Sequence, residues 1–114
     1  MTTKDAKNKP LDVTEHMMKE YPVLMNSIKK HFNECFSLFA QKQMDYGLGN
    51  IAMNGDKKLA VLALAVRLND KVQRLLNLVQ NDQNPNNESL NDTATDITNY
   101  GAILNTVLKD EWKK

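Results

Sequence analysis

Asp96 is the residue of this chain that most needs a chemical reason. Projected at about 100° per residue, it shares a helical sector with Tyr100, Ile103 and Val107, at the edge of an apolar stripe. A carboxylate there has to be ion-paired, hydrogen-bonded or bound to a cation, because burying a bare charge costs too much. Asp92 and Glu88 precede it at intervals of four, on nearly the same side. Three acids so spaced repel one another unless something positive stands between them. A hard divalent ion such as Mg²⁺, which takes a few carboxylates and keeps waters, would answer that need. Two of the three acids have a plainer reading. Ser89 and Asp92 have the spacing of a capping box, and Glu88 and Asp92 both suit the positive end of a helix. Asp96 lies two turns in, beyond the reach of capping.

A row of opposite charge lies earlier in the chain. Arg67, Lys71 and Arg74 recur at spacings of four and three, flanking a face that holds Leu64, Leu68, Leu75 and Leu78. Guanidinium forks are well shaped for phosphate, but the row could equally pair with the acids or stay solvated. The third feature is KQMDYGLGN at 42–50. Gly47 and Gly49 would expose backbone N–H groups able to cradle an anion, with Asn50 beside them. Tyr46 could stack on a base or pack in a core, and Asp45 could contact a ligand or order the turn.

The elements that must position these residues read as helices. Residues 1–12 are polar, with Pro10 near their end, and are expected to be disordered. A single helical domain is expected over 13–114. Thr14 can cap a short helix, VTEHMMKE, with Tyr21 and Pro22 marking a break, unless Pro22 instead opens the main helix. From there Leu24, Met25, Ile28, Phe32, Cys35, Phe36 and Phe39 follow at spacings of three and four, one apolar face that Gly47 terminates. Asp56 is placed to cap the second long helix, KKLAVLALAVRLNDKVQRLLNLVQN, whose first half is apolar on every side. Such a helix must be surrounded, and three long helices from one chain hardly suffice, so a dimer or higher homo-oligomer is expected. NDQNPNNE is a loop. The third long helix, LNDTATDITNYGAILNTVLKDEW, carries Leu90, Ala94, Ile97, Gly101, Leu104 and Leu108 as its stripe. The fold class is an all-α bundle of three long helices plus a short N-terminal one, completed by association.

Composition narrows the function classes. The 114 residues carry 15 basic and 14 acidic side chains, a net charge of +1, which makes no electrostatic case for nucleic acid or a membrane surface. No apolar run approaches the roughly 20 residues of a membrane span. The polar start lacks a signal-peptide stretch, and a lone cysteine, Cys35, suits a cytoplasmic setting. One Cys and two separate His cannot make a zinc site. No P-loop, dinucleotide fingerprint or nucleophilic triad is present.

Together KQMDYGLGNI (42–51), AVRLNDKVQRLLNLV (65–79) and NESLNDTATDITNYGAI (87–103) resemble the nucleotide modification associated domain, type 1, a small family common in phages and bacteria. The resemblance covers about residues 30–112. More remotely the chain is similar to the MazG-like all-α nucleoside triphosphate pyrophosphohydrolases, which hold Mg²⁺ with an E-E-x-x-E helix and a following E-x-x-D. On that likeness the first motif falls at Asn69, Asp70 and Gln73, and the second at Thr93 and Asp96, with Asp92 substituting from one position earlier. The resemblance therefore implies Asp70, Asp92 and Asp96 as catalytic, Mg²⁺-holding acids. It adds Asn99, of D-x-x-N-Y, to a substrate-binding set of Asp45, Tyr46, Gly47, Asn50, Arg67, Lys71 and Arg74. Two acids of the first motif are amides here, which weighs against hydrolysis.

Three readings follow. One is a Mg²⁺-dependent enzyme acting on a nucleotide polyphosphate, in phage or bacterial nucleotide metabolism. Another is a nucleotide-binding module without turnover, and the third a structural helical subunit. The amides favour the second over the first, while Asp96 and the Arg row favour either over the third.

Overall fold

The computed structural model of the chain describes residues 10–51, 56–81 and 87–114. Its long elements are all helices: α1 (Pro10–Glu20), α2 (Pro22–Tyr46), α3 (Lys57–Asn81) and α4 (Asn87–Leu108), with a 3₁₀ turn at Leu48–Asn50. Among the described residues there is no strand. No helix described is long and apolar enough to cross a membrane. The contacts divide the chain into two units, one up to Glu34 and one from Cys35 to Lys114, so the division falls inside α2 rather than between helices.

The first unit holds α1 and the start of α2. Helix is already present at Pro10, so Thr14 lies within it instead of capping it. The segment expected to be disordered is thus helical at 10–12, and its residues 1–9 lie outside the described residues. Pro22 opens α2, as its missing N–H allows. Tyr21 N–H still donates to Met17 O at 2.8 Å, and Met25 N–H to Tyr21 O at 2.9 Å, so the ladder resumes on both sides of the proline. Leu24, Ile28 and Phe32, read as part of a core face, are exposed.

The second unit contains the core. Asp56 caps α3 as its position implies: its Oδ1 accepts from Leu59 N–H at 3.2 Å. The side-chain pairs Arg74–Thr93, Lys71–Asp96 and Lys57–Asp110 join α3 to α4 and its tail. One number falls as the other rises, which is the register of antiparallel neighbours. Ala60 and Leu64 of α3 meet Ile103 and Val107 of α4, with Ile51 and Trp112 completing the buried cluster. Full burial of a Leu or Val side chain contributes roughly 1.5–3 kcal/mol.

Two sequence expectations change here. The buried sector of α4 is Thr93, Ile103 and Val107, with Asp96 and Tyr100 partly buried, whereas Ala94 and Leu108 of the expected stripe are exposed. Both rows have helical spacing, and the one that includes Asp96 is buried because Ile103 and Val107 pack on Ala60 and Leu64, while its carboxylate finds partners. The last helix also stops at Leu108 instead of running to Trp112. Asp110 adopts a left-handed φ of 59°. Its N–H donates to Val107 O at 3.0 Å, and Glu111 N–H donates to Thr106 O at 2.9 Å, the bonding of a Schellman turn. That reversal sends Trp112 back into the core.

Candidate functional site

Three helices of the second unit each lend one turn to a cavity of about 360 Å³. Lys42, Gln43 and Tyr46 come from α2, Arg67 and Lys71 from α3, and Asp96, Asn99 and Tyr100 from α4. The intervals are those of single helix faces: 42 and 46, 67 and 71, 96 and 99–100. Phe39 and Ile103 form the apolar part of the lining. Phe39 also packs edge-on against Trp112, with ring centroids 6.1 Å apart, which ties this wall to the core.

Asp96 organises the polar side. Its Oδ1 accepts from Lys42 Nζ and its Oδ2 from Lys71 Nζ, both at 2.9 Å, and its side chain is only 18% exposed. Burial by itself would raise the Asp96 pKa, but the hydrogen bonds and charges of the two lysines outweigh it and hold the carboxyl below its ordinary value. Lys42 is raised in turn, mainly by its hydrogen bond to Asp96 and against the opposing pull of burial. Beside them Gln43 Oε1 is buried with no hydrogen-bond partner among the described residues.

A second depression, of about 450 Å³, adjoins the same ion pairs. It shares Lys42, Lys71 and Asp96 and adds Arg74, Asp92 and Thr93. Arg74 Nε–H donates to Thr93 Oγ1 at 3.3 Å, and Thr93 is itself buried.

Most of KQMDYGLGN proves to be the end of α2, which runs to Tyr46, and a tight turn follows it. Gly47 has φ 78° and ψ 157°, a combination essentially reserved for glycine, and its N–H donates to Gln43 O at 2.8 Å to close α2. Asp45 is exposed and accepts from Gln41 Nε2 at 3.1 Å, away from the lining of either cavity. Leu48 O accepts from Trp112 Nε1–H at 3.1 Å, which pins the turn to the C-terminal tail. Among the described residues of this stretch beyond Gln43, Tyr46 is the one that lines the cavity, with a largely exposed ring. The side chains of Asn50, Glu88 and Ser89 lie outside the described residues.

Of the expected binding set, then, Tyr46, Arg67, Lys71 and Asn99 share one cavity with Asp96, while Arg74 stands with Asp92 next door. Asp45 and Gly47 do not join them. Asp70, with Asn69 and Gln73, is exposed and lines neither cavity. The inner face of α3 carries Arg67 and Lys71, and one residue's step of about 100° turns Asp70 off it. Among the described residues no three His, Cys, Asp or Glu side chains are grouped to hold a metal ion. Both oxygens of Asp96 are already taken by ammonium groups. Among the described residues, then, Asp70, Asp92 and Asp96 are not grouped as one ligand trio.

Lys42 and Gln43 are the site residues that sequence reasoning missed. Asp96 signalled that it needs an ion-pair, hydrogen-bond or metal partner, but nothing local marks Lys42, 54 positions away, as that partner. Compared with protein-family models, with curated proteins and with solved structures, the chain matches none.

Proposed function

We propose that this protein is a nucleotide-binding module whose cavity receives the phosphate-bearing end of the ligand. The observation that carries the reading is the convergence of Lys42, Arg67 and Lys71 on one cavity with an exposed tyrosine at its edge. Ammonium and guanidinium groups make the strong, charge-assisted hydrogen bonds that phosphate oxygens accept. Tyr46 supplies a face on which a base can stack, worth roughly 1–3 kcal/mol. The resemblance to the nucleotide modification associated domain points the same way.

Binding without turnover is favoured over pyrophosphohydrolysis, because Asp70 stands apart and Asp96 is committed to two lysines. In this reading Mg²⁺ enters as the counter-ion of a bound nucleotide, not as a metal resident on the protein. The exposed Leu59, Leu62 and Val66 of α3 support association with a second copy of the chain. A thermal-shift screen of nucleotides, with and without Mg²⁺, tests the reading, since a ligand specific to the folded state raises apparent stability. If no nucleotide shifts the melting temperature at millimolar concentration, the reading fails.

A further inference from the structure

We propose that the cavity is built for a phosphate monoester, the end group of a nucleoside monophosphate, and not for a polyphosphate. The inference rests on the nucleotide reading and narrows it. Its first support is the spacing of the cations. Lys42 Nζ and Lys71 Nζ sit at 2.9 Å on the two oxygens of a single carboxylate. The two ammonium groups thus stand within a span that one compact anion can bridge. A phosphate chain would need its cations strung out along a groove, and Arg74, the next in the row, is engaged with Thr93 in the neighbouring depression.

Charge gives a second, independent support. Lys42, Arg67 and Lys71 outnumber Asp96 among the charged side chains of the cavity lining. A phosphate monoester carries about −1.5 to −2 near neutral pH, a charge of the sign that this lining favours. A triphosphate carries roughly twice as much and would bring Mg²⁺ with it, an ion that seeks carboxylate oxygens and water. Among the described residues Asp96 is the one carboxylate lining this cavity, and both of its oxygens are bonded.

Size and the remaining polar groups agree. At about 360 Å³ the cavity lies near the small end of ligand pockets, which run from about 300 to 1,000 Å³. Gln43 follows Lys42 directly and stands one helical turn before Tyr46. Its buried Oε1 lacks a partner, and leaving such an acceptor unsatisfied is costly. Rotation about its terminal torsion would present the amide to a base edge, with Asn99 as a second amide on the lining.

Calorimetric titration of the full chain with a panel of nucleoside monophosphates, the matching nucleosides, inorganic phosphate, and triphosphates with Mg²⁺ or with chelator tests this. The best monophosphate is expected to bind at least about tenfold more tightly than its nucleoside, than phosphate and than its triphosphate in either condition. Lys42→Gln and Lys71→Gln should each weaken the monophosphate by about tenfold and leave the nucleoside unchanged. Lys42 is the more exposed of the two, so that variant keeps the test open if Lys71→Gln does not fold. Tighter binding of the Mg²⁺-triphosphate overturns this inference and leaves the nucleotide reading standing. Equal binding of inorganic phosphate and monophosphate overturns the assignment of a nucleoside end. Failure of every nucleotide to bind overturns both.

Discussion

Lys42 donates to Asp96 Oδ1 at 2.9 Å across 54 positions of sequence, and that bond joins α2 to α4 at the wall shared by both cavities. Its partner bond from Lys71 brings in α3. One carboxylate therefore ties three helices together and sets the spacing of two cations. Structure and binding meet at the same atom pair.

Asp96→Asn should separate the two roles. The amide cannot serve as counter-charge to both lysines, so the ligand-free protein should lose about 1–3 kcal/mol, between the values for exposed and fully buried pairs. Inorganic phosphate should then raise the melting temperature of the variant more than that of the wild type, because the added anion replaces the missing charge. Equal phosphate shifts in the two proteins would argue against an anion seat beside these lysines.

The pH dependence of stability has two edges. Asp96 is depressed in the folded state, so its contribution is present above the unfolded carboxylate value of about 3.9 and disappears as pH falls through the lower folded value. Lys42 is raised, so its contribution is present below about 10.4 and is lost as pH climbs through its higher folded value. Chemical denaturation between those limits should show a plateau from this pair. In Lys42→Met the alkaline edge should flatten relative to wild type, and an unchanged edge would assign it to other groups.

Trp112 is the sole tryptophan and is 8% exposed. Trp112→Ala should cost about 3–5 kcal/mol through the cavity it leaves. Trp112→Phe keeps a ring against Phe39 but loses the bond to Leu48 O, for roughly 0.5–1.5 kcal/mol. Urea melts followed by circular dichroism read both values. The intrinsic fluorescence of the wild type should shift to the red in the same transition that melts the helices.

Gly47 has open space where a Cβ would stand, with nothing within 4 Å. Gly47→Ala should nonetheless destabilise by about 1–3 kcal/mol, purely through its backbone conformation. A neutral result in equilibrium unfolding would mean that the turn can relax to negative φ.

Association through α3 can be told apart from folding. Leu62→Lys and Val66→Lys alter exposed positions and should convert an oligomer to a helical monomer in light scattering. Leu64→Lys, only two residues from each, strikes a side chain that is 1% exposed and should unfold the unit. A wild type that is already monomeric at micromolar concentration would remove the case for association.

Local physics made a good part of this protein legible from sequence. Apolar residues at spacings of three and four, few glycines and prolines, and Asp56 and Gly47 at helix ends specify helices whatever surrounds them, since capping and periodicity act within a turn or two. The same reasoning showed that Asp96 needs a partner, whether ion pair, hydrogen bond or cation, because the cost of a bare buried charge does not depend on the fold. What the tertiary structure decided was the choice among equivalent faces and distant partners. On α4 two rows had helical spacing, and packing selected the one holding Thr93, Asp96 and Val107. On α3 it turned Arg67 and Lys71 inward and left Asp70 outside, a difference of one residue's rotation. Lys42 as the partner of Asp96, and Trp112 returning through a left-handed Asp110 to bond Leu48, depend on how whole helices end and cross. Those contacts link residues more than 50 positions apart, where no periodicity within a helix carries the information.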